Sequence, residues 1–552
     1  MTVAQPCHPL PVCMLRLTEI RLPIDHDDSD LTEAVLKRLN IQNDSLRSFT
    51  VFRRNHDARR KNAIFFSYTI DADIIDEKAV LAALGHTARV RPAPDMAYHF
   101  AASAPEGGFS RPVVIGSGPC GLFAALVLAQ NGFRPIVLER GKPVRERTRD
   151  TFGFWRTGEL NPESNVQFGE GGAGTFSDGK LHSQIKDPAF RARKVLSEFA
   201  KAGAPSEILY EAKPHIGTFR LVKVVENMRK SIEAMGGEFR FETRVDDLVI
   251  DSSRIRGVVL SNGSHIESEH VILAIGHSAR DTFQMIHDRG IAIEAKPFSI
   301  GFRIEHPQSL IDQSRLGLNA GHPRLGAADY QLVHHAKNGR SVYSFCMCPG
   351  GTVVAATSES GRIVTNGMSQ YSRNERNANA AIVVGITPED FPGSPLAGMA
   401  LQRELEEQAF ALGGGNYSAP VQLVGDFLAQ RASIRLGSVI PSYQPGVKLC
   451  DLSHSLPGYA IEAIREALVA FERRIAGFAM HDAVLTGVET RTSSPIRILR
   501  NQKTLESVNV QGLYPAGEGS GYAGGILSAA VDGIRVAEAV ALAIAASANV
   551  RD

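Results

Sequence analysis

The fold is decided by the stretch VVIGSGPCGLFAALVLAQNGFRPIVLERG, residues 113–141. Its apolar start, VVI, predicts a buried strand, and Gly116, Gly118 and Gly121 form a GxGxxG pattern directly before a helix. In this pattern the glycines make the tight turn, admit a pyrophosphate to the backbone, and let the helix pack on the sheet. A second apolar run ends at Glu139, 23 residues after Gly116, where a carboxylate accepts hydrogen bonds from a ribose. The stretch therefore predicts a dinucleotide-binding βαβ unit.

The composition predicts a soluble, cytoplasmic protein with more than one domain. The chain has 552 residues, 43% of them apolar, and a net charge of +1, which argues against a general attraction to nucleic acid or membranes. Its longest apolar runs are too short to cross a bilayer. The six cysteines form no CxxC pair, which favours a reducing compartment and predicts no metal site. They are Cys7, Cys13, Cys120, Cys346, Cys348 and Cys450.

The pattern of strands and helices predicts an α/β protein built of three units. Residues 13–84 alternate like a small, independent N-terminal α/β domain, and the Pro-, Ala- and Gly-rich residues 85–111 are predicted to be a linker. Residues 112–297 and 489–552 are predicted to form a Rossmann-like dinucleotide-binding domain. The intervening residues, 298–488, are predicted to form an inserted α+β substrate domain.

Three remote segments favour FAD over NAD as the dinucleotide, because an extended flavin needs contacts from distant parts of a chain. NVQFGEGGAGTFSDGK, residues 165–180, is dense in glycine and carries hydroxyl groups. HVILAIGHSA, residues 270–279, is an apolar strand that ends in a glycine. GLYPAGEGSGYAGGI, residues 512–526, leads through a glycine loop into a helix whose dipole could stabilise a reduced flavin.

Taken together, these motifs resemble the bacterial family of uncharacterised FAD-dependent dehydrogenases, of the NAD(FAD)-utilising type. This family belongs to the glutathione-reductase-like flavoprotein superfamily. The likeness covers about residues 112–541 and includes SFCMCPGGTVVAATSE, residues 344–359, and IVTNGMS, residues 363–369. It implies a glutathione-reductase-like FAD-binding Rossmann domain with an inserted α+β substrate domain and a small N-terminal α/β domain.

The resemblance also implies a set of FAD-binding residues. It assigns the first glycine loop to the pyrophosphate, Glu139 to the adenosine ribose, Val245 to the adenine, and the final glycine loop to the ribityl chain and ring. The full set is Gly116, Gly118, Pro119, Gly121, Glu139, Arg140, Gly172, Gly174, Thr175, Gly179, Val245, Gly276, Gly517, Glu518, Gly525 and Ile526.

The predicted function is that of an FAD-dependent oxidoreductase, a dehydrogenase or reductase that passes a hydride between the flavin and a small-molecule substrate. No second GxGxxG follows a strand, so electrons come from the substrate or from transiently bound NAD(P)H. The candidate catalytic residues are His182, Arg303 and Tyr522, with Lys180 as a similar case; each is also compatible with a structural role. Cys346 and Cys348 are compatible with a redox pair or with buried small hydrophobes.

The N-terminal domain suggests an alternative function. In RSFTVFRRNHDARRKNAIFFSYTID, residues 47–71, basic and aromatic residues alternate in a pattern that suits an RNA backbone and its bases. The same pattern fits a solvated loop above a small aromatic core. The alternatives to a small-molecule oxidoreductase are therefore a flavin-dependent RNA-base-modifying enzyme and a flavin-binding sensor without turnover.

Overall fold

The computed structural model describes residues 14–85, 89–183 and 185–548. Cys7 and Cys13, the first residue of the predicted N-terminal domain and the last four of the predicted dinucleotide-binding domain lie outside the described residues.

The N-terminal unit is a four-stranded antiparallel sheet, order β2-β3-β1-β4, with two helices. Asp27 caps the first helix in a capping box with Asp30. The last strand lies within the residues that are predicted to be a linker. The sequence did not reveal it, because a three-residue strand with one buried side chain is too short to give a periodic signal. The elements are β1 (Leu15–Pro23), α1 (Asp28–Leu39), β2 (Leu46–Asp57), β3 (Phe65–Ile74), α2 (Glu77–Leu84) and β4 (Val90–Pro92).

The N-terminal unit is docked on the rest of the chain. The Arg54 N–H donates to the Tyr210 carbonyl at 2.7 Å, and the Ala212 N–H donates to the Arg54 carbonyl at 2.9 Å. On another side, Arg324 Nη1 donates to the Ile24 carbonyl at 2.9 Å. The apolar core of the N-terminal unit is continuous with the core of the inserted unit.

The next segment forms the first part of the predicted dinucleotide-binding unit. Strands β8, β9 and β10 make a separate antiparallel sheet. The elements are β5 (Val113–Ile115), α3 (Pro119–Gln130), β6 (Ile136–Leu138), α4 (Val144–Thr157), α5 (Arg191–Lys201), α6 (Thr218–Ala234), β7 (Glu238–Arg240), β8 (Val245–Asp251), β9 (Arg254–Leu260), β10 (His265–Glu267), β11 (Val271–Leu273), α7 (Arg280–Asp288) and β12 (Ile293–Ala295).

The inserted unit is built on a seven-stranded mixed sheet, order β14-β15-β18-β13-β21-β19-β20, across which α11 packs. Strands β16 and β17 form a separate hairpin. The elements are β13 (Phe298–Pro307), α8 (Gln308–Leu316), β14 (Val333–His335), β15 (Ser341–Cys348), β16 (Gly351–Ala355), β17 (Thr365–Ser369), β18 (Asn377–Ile386), α9 (Ala397–Leu412), β19 (Ala419–Leu423), α10 (Val424–Leu428), β20 (Val447–Leu449), α11 (Gly458–Glu472) and β21 (Val484–Glu489).

The chain then returns to the dinucleotide-binding unit through β22 (Ile496–Ile498), β23 (Leu513–Pro515) and α12 (Ile526–Ala548). Strand β22 pairs with β12, so the segments that enter and leave the inserted unit lie side by side. Strand β23 completes a five-stranded parallel sheet, order β23-β11-β5-β6-β7.

The parallel sheet places the predicted motifs together. In such a sheet all carboxyl ends meet at one edge, where ligands bind in open α/β folds. The residues that follow β5, β6, β11 and β23 are Gly116, Glu139, Ala274 and Ala516. One edge of the sheet therefore collects segments that are up to 400 residues apart in the sequence.

Candidate functional site

A cavity of about 520 Å³ lies at this edge and continues to the sheet of the inserted unit. Its volume is within the range of about 300–1,000 Å³ that is typical of small-molecule sites. Most of the predicted FAD-binding residues line it: Gly116, Gly118, Pro119, Glu139, Arg140, Gly172, Gly174, Gly179, Val245, Gly276, Glu518, Gly525 and Ile526. Gly121, Thr175 and Gly517 lie behind this lining.

The glycines of the first and final loops divide into two kinds. A Cβ on Gly121 would lie 1.9 Å from the Gly116 carbonyl oxygen, and one on Gly116 would lie 2.4 Å from the Ala274 carbonyl oxygen, so the fold itself requires both glycines. A Cβ on Gly118 would meet only the Gly172 Cα, at 3.7 Å, and one on Gly524 would meet no atom within 4 Å. The space beside Gly118 and Gly524 therefore belongs to the cavity.

Helix α3 begins at this loop and offers backbone donors to the cavity. Gly118 is its N-cap residue and makes no side-chain cap, and Pro119 occupies the first turn. The first N–H groups of a helix have no partner within the helix and carry the positive end of its dipole, so they favour an anion such as a pyrophosphate.

Glu139 organises the loops around the cavity. Its Oε2 accepts hydrogen bonds from the Ser117 N–H at 3.0 Å and the Ser117 hydroxyl at 2.6 Å. Its Oε1 accepts from the N–H groups of Gly141 at 2.9 Å and Gly169 at 3.0 Å. Four protein donors occupy this carboxylate, so its predicted role at the ribose stays a prediction.

Arg147 supports the second glycine loop and was missed in the sequence, because nothing in helix α4 marks it. The side chain is fully buried, and its guanidinium donates to carbonyls along the loop. The acceptors include Asn165 at 2.8 Å, Glu170 at 2.7 Å and Gly172 at 2.9 Å. Burial lowers the pKa of Arg147 to about 10, so it remains a cation at neutral pH.

Three predicted FAD-binding residues make contacts within the protein. Arg140 lines the cavity, but its guanidinium binds the carboxylates of Glu163 and Asp281, each at 2.8 Å. The Thr175 hydroxyl lies 3.5 Å from Arg147 Nη1, behind the cavity wall. The Gly517 N–H donates to Asp532 Oδ2 at 2.8 Å.

A buried ionic network closes one side of the cavity. Glu406 is fully buried and binds Arg280 at 2.6 Å and Arg491 at 2.8 Å. Burial alone would raise the pKa of Glu406, but the two guanidinium charges outweigh it and lower this pKa. Arg491 also reaches the hydroxyls of Ser278 at 3.1 Å and Ser358 at 2.7 Å. The sequence offered no signal for this network, whose members come from three distant segments.

His277 and Glu518 face each other across the cavity lining, with His277 Nδ1 3.6 Å from Glu518 Oε1. Burial raises the pKa of Glu518 to about 7 and, aided by the nearby arginines, lowers that of His277 to about 3. Glu518 is thus balanced between its protonated and ionised forms at neutral pH, beside a neutral imidazole. The sequence prediction missed His277, although it directly follows Gly276.

The candidate catalytic residues have different surroundings. His182 and Lys180 line the cavity, and desolvation together with the charges of Lys180 and Lys213 lowers the pKa of His182. Arg303 is fully buried and binds Glu489 at 2.6 Å, so it is not free to clamp a substrate. The Tyr522 hydroxyl donates to the Ile498 carbonyl at 3.0 Å, and Arg500 stacks on its ring at 3.7 Å, so Tyr522 packs behind the loop.

The basic N-terminal hairpin makes many of its contacts within the protein. Arg54 binds Glu211, Arg59 binds Asp57 at 2.5 Å, and Arg47 binds Asp73 at 3.4 Å. Phe66 and Tyr68 are buried in the core of the unit, and Phe52 lies 3.6 Å beneath the guanidinium of Arg16. The aromatic residues thus serve the interior of the unit.

Over residues 14–85, 89–183 and 185–548, no helix is both long and apolar enough to cross a membrane. The same residues contain no cluster of three or more His, Cys, Asp or Glu side chains arranged to hold a metal ion.

Two domain families and one relative match the chain. Residues 297–492 match the family described as FAD-dependent protein, C-terminal domain-like, and residues 14–73 match a domain of unknown function, DUF8436. An uncharacterized protein of Clostridium beijerinckii is 50% identical over 526 residues, which cover 95% of this chain and 98% of that protein.

Several solved structures resemble the chain more distantly. The flavin-dependent brominase Bmp2 has a TM-score of 0.36 and 14% identity, covering 79% of each chain. Glycine oxidase from Bacillus cereus has a TM-score of 0.31 and 11% identity, covering 78% of this chain and 97% of the oxidase. Amadoriase I from Aspergillus fumigatus has a TM-score of 0.35 and 14% identity, covering 80% and 88%. These low scores assign no reaction to the chain.

Proposed function

The chain belongs to the same protein family as the Clostridium beijerinckii protein, and from this membership and the site we propose that it is an FAD-dependent oxidoreductase acting on a small molecule. Its family carries the FAD-dependent C-terminal domain over residues 297–492. The cavity supplies the second support, because the family domain and the parallel sheet both contribute to its lining.

The observation that carries the proposal is the glycine at position 118. The fold does not require a glycine at this position, because a Cβ on residue 118 would clash with no protein atom and the backbone there is extended. A ligand that approaches the backbone closely does require it. The neighbouring α3 N-terminus suits a pyrophosphate, and the segments after β6 and β11 suit the adenosine half. The residues present therefore fit a dinucleotide.

The arrangement of sheets supports membership of the glutathione-reductase-like superfamily. A five-stranded parallel sheet is joined by a three-stranded antiparallel sheet between β7 and β11. In this interpretation Gly116, Gly118 and Pro119 hold the pyrophosphate, Val245 the adenine, and Glu518, Gly525 and Ile526 the ribityl chain and ring. When bound, FAD supplies the ability to accept or donate a hydride.

The chain itself contributes proton and charge control at the ring end. Glu518 can hold or release a proton at its carboxylate near neutral pH, because burial brings its pKa to about 7. The neutral His277 beside it limits the charge in the buried site. Arg147 and Glu139 keep the glycine loops in place, so that the binding surface is formed before the ligand arrives.

The substrate end of the cavity lies toward the inserted unit. Lys180 and His182 line this part together with Tyr343 and Asn366. Asp178 also lines the cavity and lies 3.7 Å from Lys180, so the charge of Lys180 is partly balanced and this lining favours a polar small molecule over an apolar one. We propose NAD(P)H as a transient electron donor that reaches the flavin through the same opening.

The proposal is tested on the purified protein. We expect one FAD per chain, measured by absorbance after denaturation and identified by chromatography, and anaerobic bleaching of the flavin by NADH, NADPH or a metabolite. The matched variant is Gly118→Val, which we expect to be folded and colourless. A wild-type protein that is colourless and cannot be reconstituted with FAD contradicts the cofactor assignment. A flavin that no donor reduces contradicts the oxidoreductase assignment and favours a binding protein.

A further inference from the structure

Two cysteines lie at the point where the inserted sheet meets the cavity. Cys346 lines the cavity, and Cys348, two residues later, is fully buried behind it. Strand β15 is irregular here: Phe345 pairs with Ala381 and Cys348 with Asn379, so β15 has one more residue than β18 between these pairs. Cys346 therefore lies in a β-bulge, and Cys348 is the first paired residue after it.

The bulge holds Cys346 in a backbone conformation that normally favours glycine. Its φ angle is +44°, in the left-handed region. A residue with a side chain is strained in this region, and such strain persists where the surroundings impose it, often at functional sites. The surroundings do so here, because the Cys346 carbonyl accepts hydrogen bonds from Arg303 Nη1 at 3.0 Å and the Cys348 thiol at 3.3 Å.

The two thiols also interact with each other. The neighbouring Cys348 thiol lowers the pKa of Cys346, with a further contribution from the charges of Lys180 and Arg303. The neighbouring Cys346, together with burial, raises the pKa of Cys348. The lowered pKa favours Cys346 as the attacking thiol of the pair, in agreement with its position at the cavity.

The position of the pair matches the ring end of the proposed flavin site. Cys346 lines the same cavity as Glu518, Gly525 and Ile526. It is close enough to Glu518 that its charge contributes to the raised pKa of that carboxyl. The other described cysteines differ: Cys120 also lines the cavity, but it lies in α3 and burial raises the pKa of its thiol, and Cys450 follows β20 outside the cavity lining.

We propose that Cys346 and Cys348 form a dithiol–disulfide couple that exchanges an electron pair with the bound flavin. This inference rests on the proposed FAD site. On oxidation both S–H bonds break and one S–S bond forms, and the two electrons and two protons pass to the oxidised flavin. The reverse reaction regenerates both thiols. An extended strand would separate residues two apart by about 6.6 Å between Cα atoms. The positive φ of Cys346 at the bulge departs from that extended form, and a shorter separation falls within the Cα range that a disulfide spans.

The couple implies a class of substrate. Cys348 has no exposed surface, so an external thiol or disulfide meets Cys346 first, through the cavity. Attack of the Cys346 thiolate on a substrate disulfide forms a mixed disulfide and releases one substrate thiol. Cys348 then displaces the second thiol and leaves the intramolecular disulfide, which the reduced flavin returns to the dithiol.

The test is an anaerobic dithionite titration of the air-oxidised holoenzyme, followed by alkylation of thiols and mass spectrometry. We expect the wild type to consume two electron pairs per flavin, and Cys346→Ser and Cys348→Ser one pair each. The tryptic peptide 341–362 contains both cysteines and no other. In the oxidised wild type it should be lighter by two hydrogen atoms and resist alkylation. After reduction it should accept two alkyl groups.

Cys450→Ser is the matched control and should behave as the wild type. One electron pair per flavin in the wild type, with peptide 341–362 fully alkylated before reduction, would overturn the inference. This outcome requires no variant to fold. A colourless protein, in contrast, contradicts the FAD site itself, and is recognised by its absorbance before any thiol is measured.

Discussion

The two halves of the cavity are built in different ways. The half at the parallel sheet is made of backbone, with short glycine loops that follow strand ends and expose N–H groups. The half at the inserted sheet is formed by side chains, and the charged ones in and behind its wall are paired over long sequence distances, such as Arg303 with Glu489, 186 residues apart. A backbone surface suits a constant ligand such as a cofactor, whereas paired side chains set the shape and charge seen by a substrate.

The largest expected effect concerns the half of the cavity at the parallel sheet, called the backbone half below. Gly121→Ala should abolish folding, because the new Cβ would lie 1.9 Å from the Gly116 carbonyl oxygen and backbone cannot move aside cheaply. Gly118→Ala should leave the free energy of unfolding of the FAD-free protein within about 1 kcal/mol of wild type and weaken FAD binding at least about tenfold. Urea unfolding and FAD titration measure the two effects.

These variants separate glycines that the fold needs from the glycine that a ligand needs. If Gly118→Ala and wild type bind FAD equally, the backbone half is not a cofactor surface. If Gly121→Ala folds normally, the close contact between helix and loop is not part of the stable structure.

The next largest effect concerns the half of the cavity at the inserted sheet, called the paired half below. Arg303→Met should reduce the free energy of unfolding by about 3–5 kcal/mol, since it leaves Glu489 buried without a counter-charge. Arg303→Met combined with Glu489→Leu should recover at least half of the loss. Urea unfolding measures both. Full FAD stoichiometry in the folded fraction is expected, and loss of FAD without loss of stability would contradict the division of roles.

A smaller effect concerns the junction of the two halves, at Glu518. Burial raises its pKa to about 7, so the folded protein binds this proton more tightly than the unfolded chain does. The stabilisation is complete at low pH and is lost as the pH rises from the unfolded pKa, 4.5, to about 7. Between pH 5 and pH 8, wild type should lose about 2–3 kcal/mol more than Glu518→Gln. The free energy of unfolding is measured with urea on the FAD-free proteins. If wild type and Glu518→Gln lose the same amount between pH 5 and pH 8, the Glu518 carboxyl is exposed to water.

The smallest effect concerns the exposed hairpin, which lies outside both halves. Arg53 and Arg60 are exposed. Changing both to Ala should alter the free energy of unfolding by less than about 0.5 kcal/mol. Under the small-molecule proposal it should also leave flavin reduction by NAD(P)H unchanged. Salt-sensitive RNA binding by the wild type that this double variant loses would instead support the RNA alternative.

The same difference explains how much could be predicted from the sequence. The parallel strands, their glycine loops and Glu139 follow local rules of spacing, and Glu518 lies within one of the loops, so these residues could be assigned to one edge in advance. The match of residues 297–492 to an FAD-dependent C-terminal domain supports the FAD assignment, while the residue roles and the reaction stay predictions.

The paired half could not be predicted, because pairing over long distances leaves no local pattern. Arg280, Glu406 and Arg491 meet only in the folded chain. Arg303 was identified as a functional candidate, but its partner Glu489 was not foreseen. The bulge at Cys346 depends on the register of β15 against β18, which periodicity does not reveal.

The antiparallel pair of β12 and β22 has a consequence for how such proteins diversify. Ile293 faces Ile498 and Ala295 faces Ile496 at the two crossings between the units. Insertions and deletions between these crossings leave the separation of the strand ends, and thus the cofactor geometry, unchanged. The inserted unit can therefore change in sequence and length during evolution without displacing the parallel sheet. The surface that contacts the N-terminal unit limits these changes, because it must be kept.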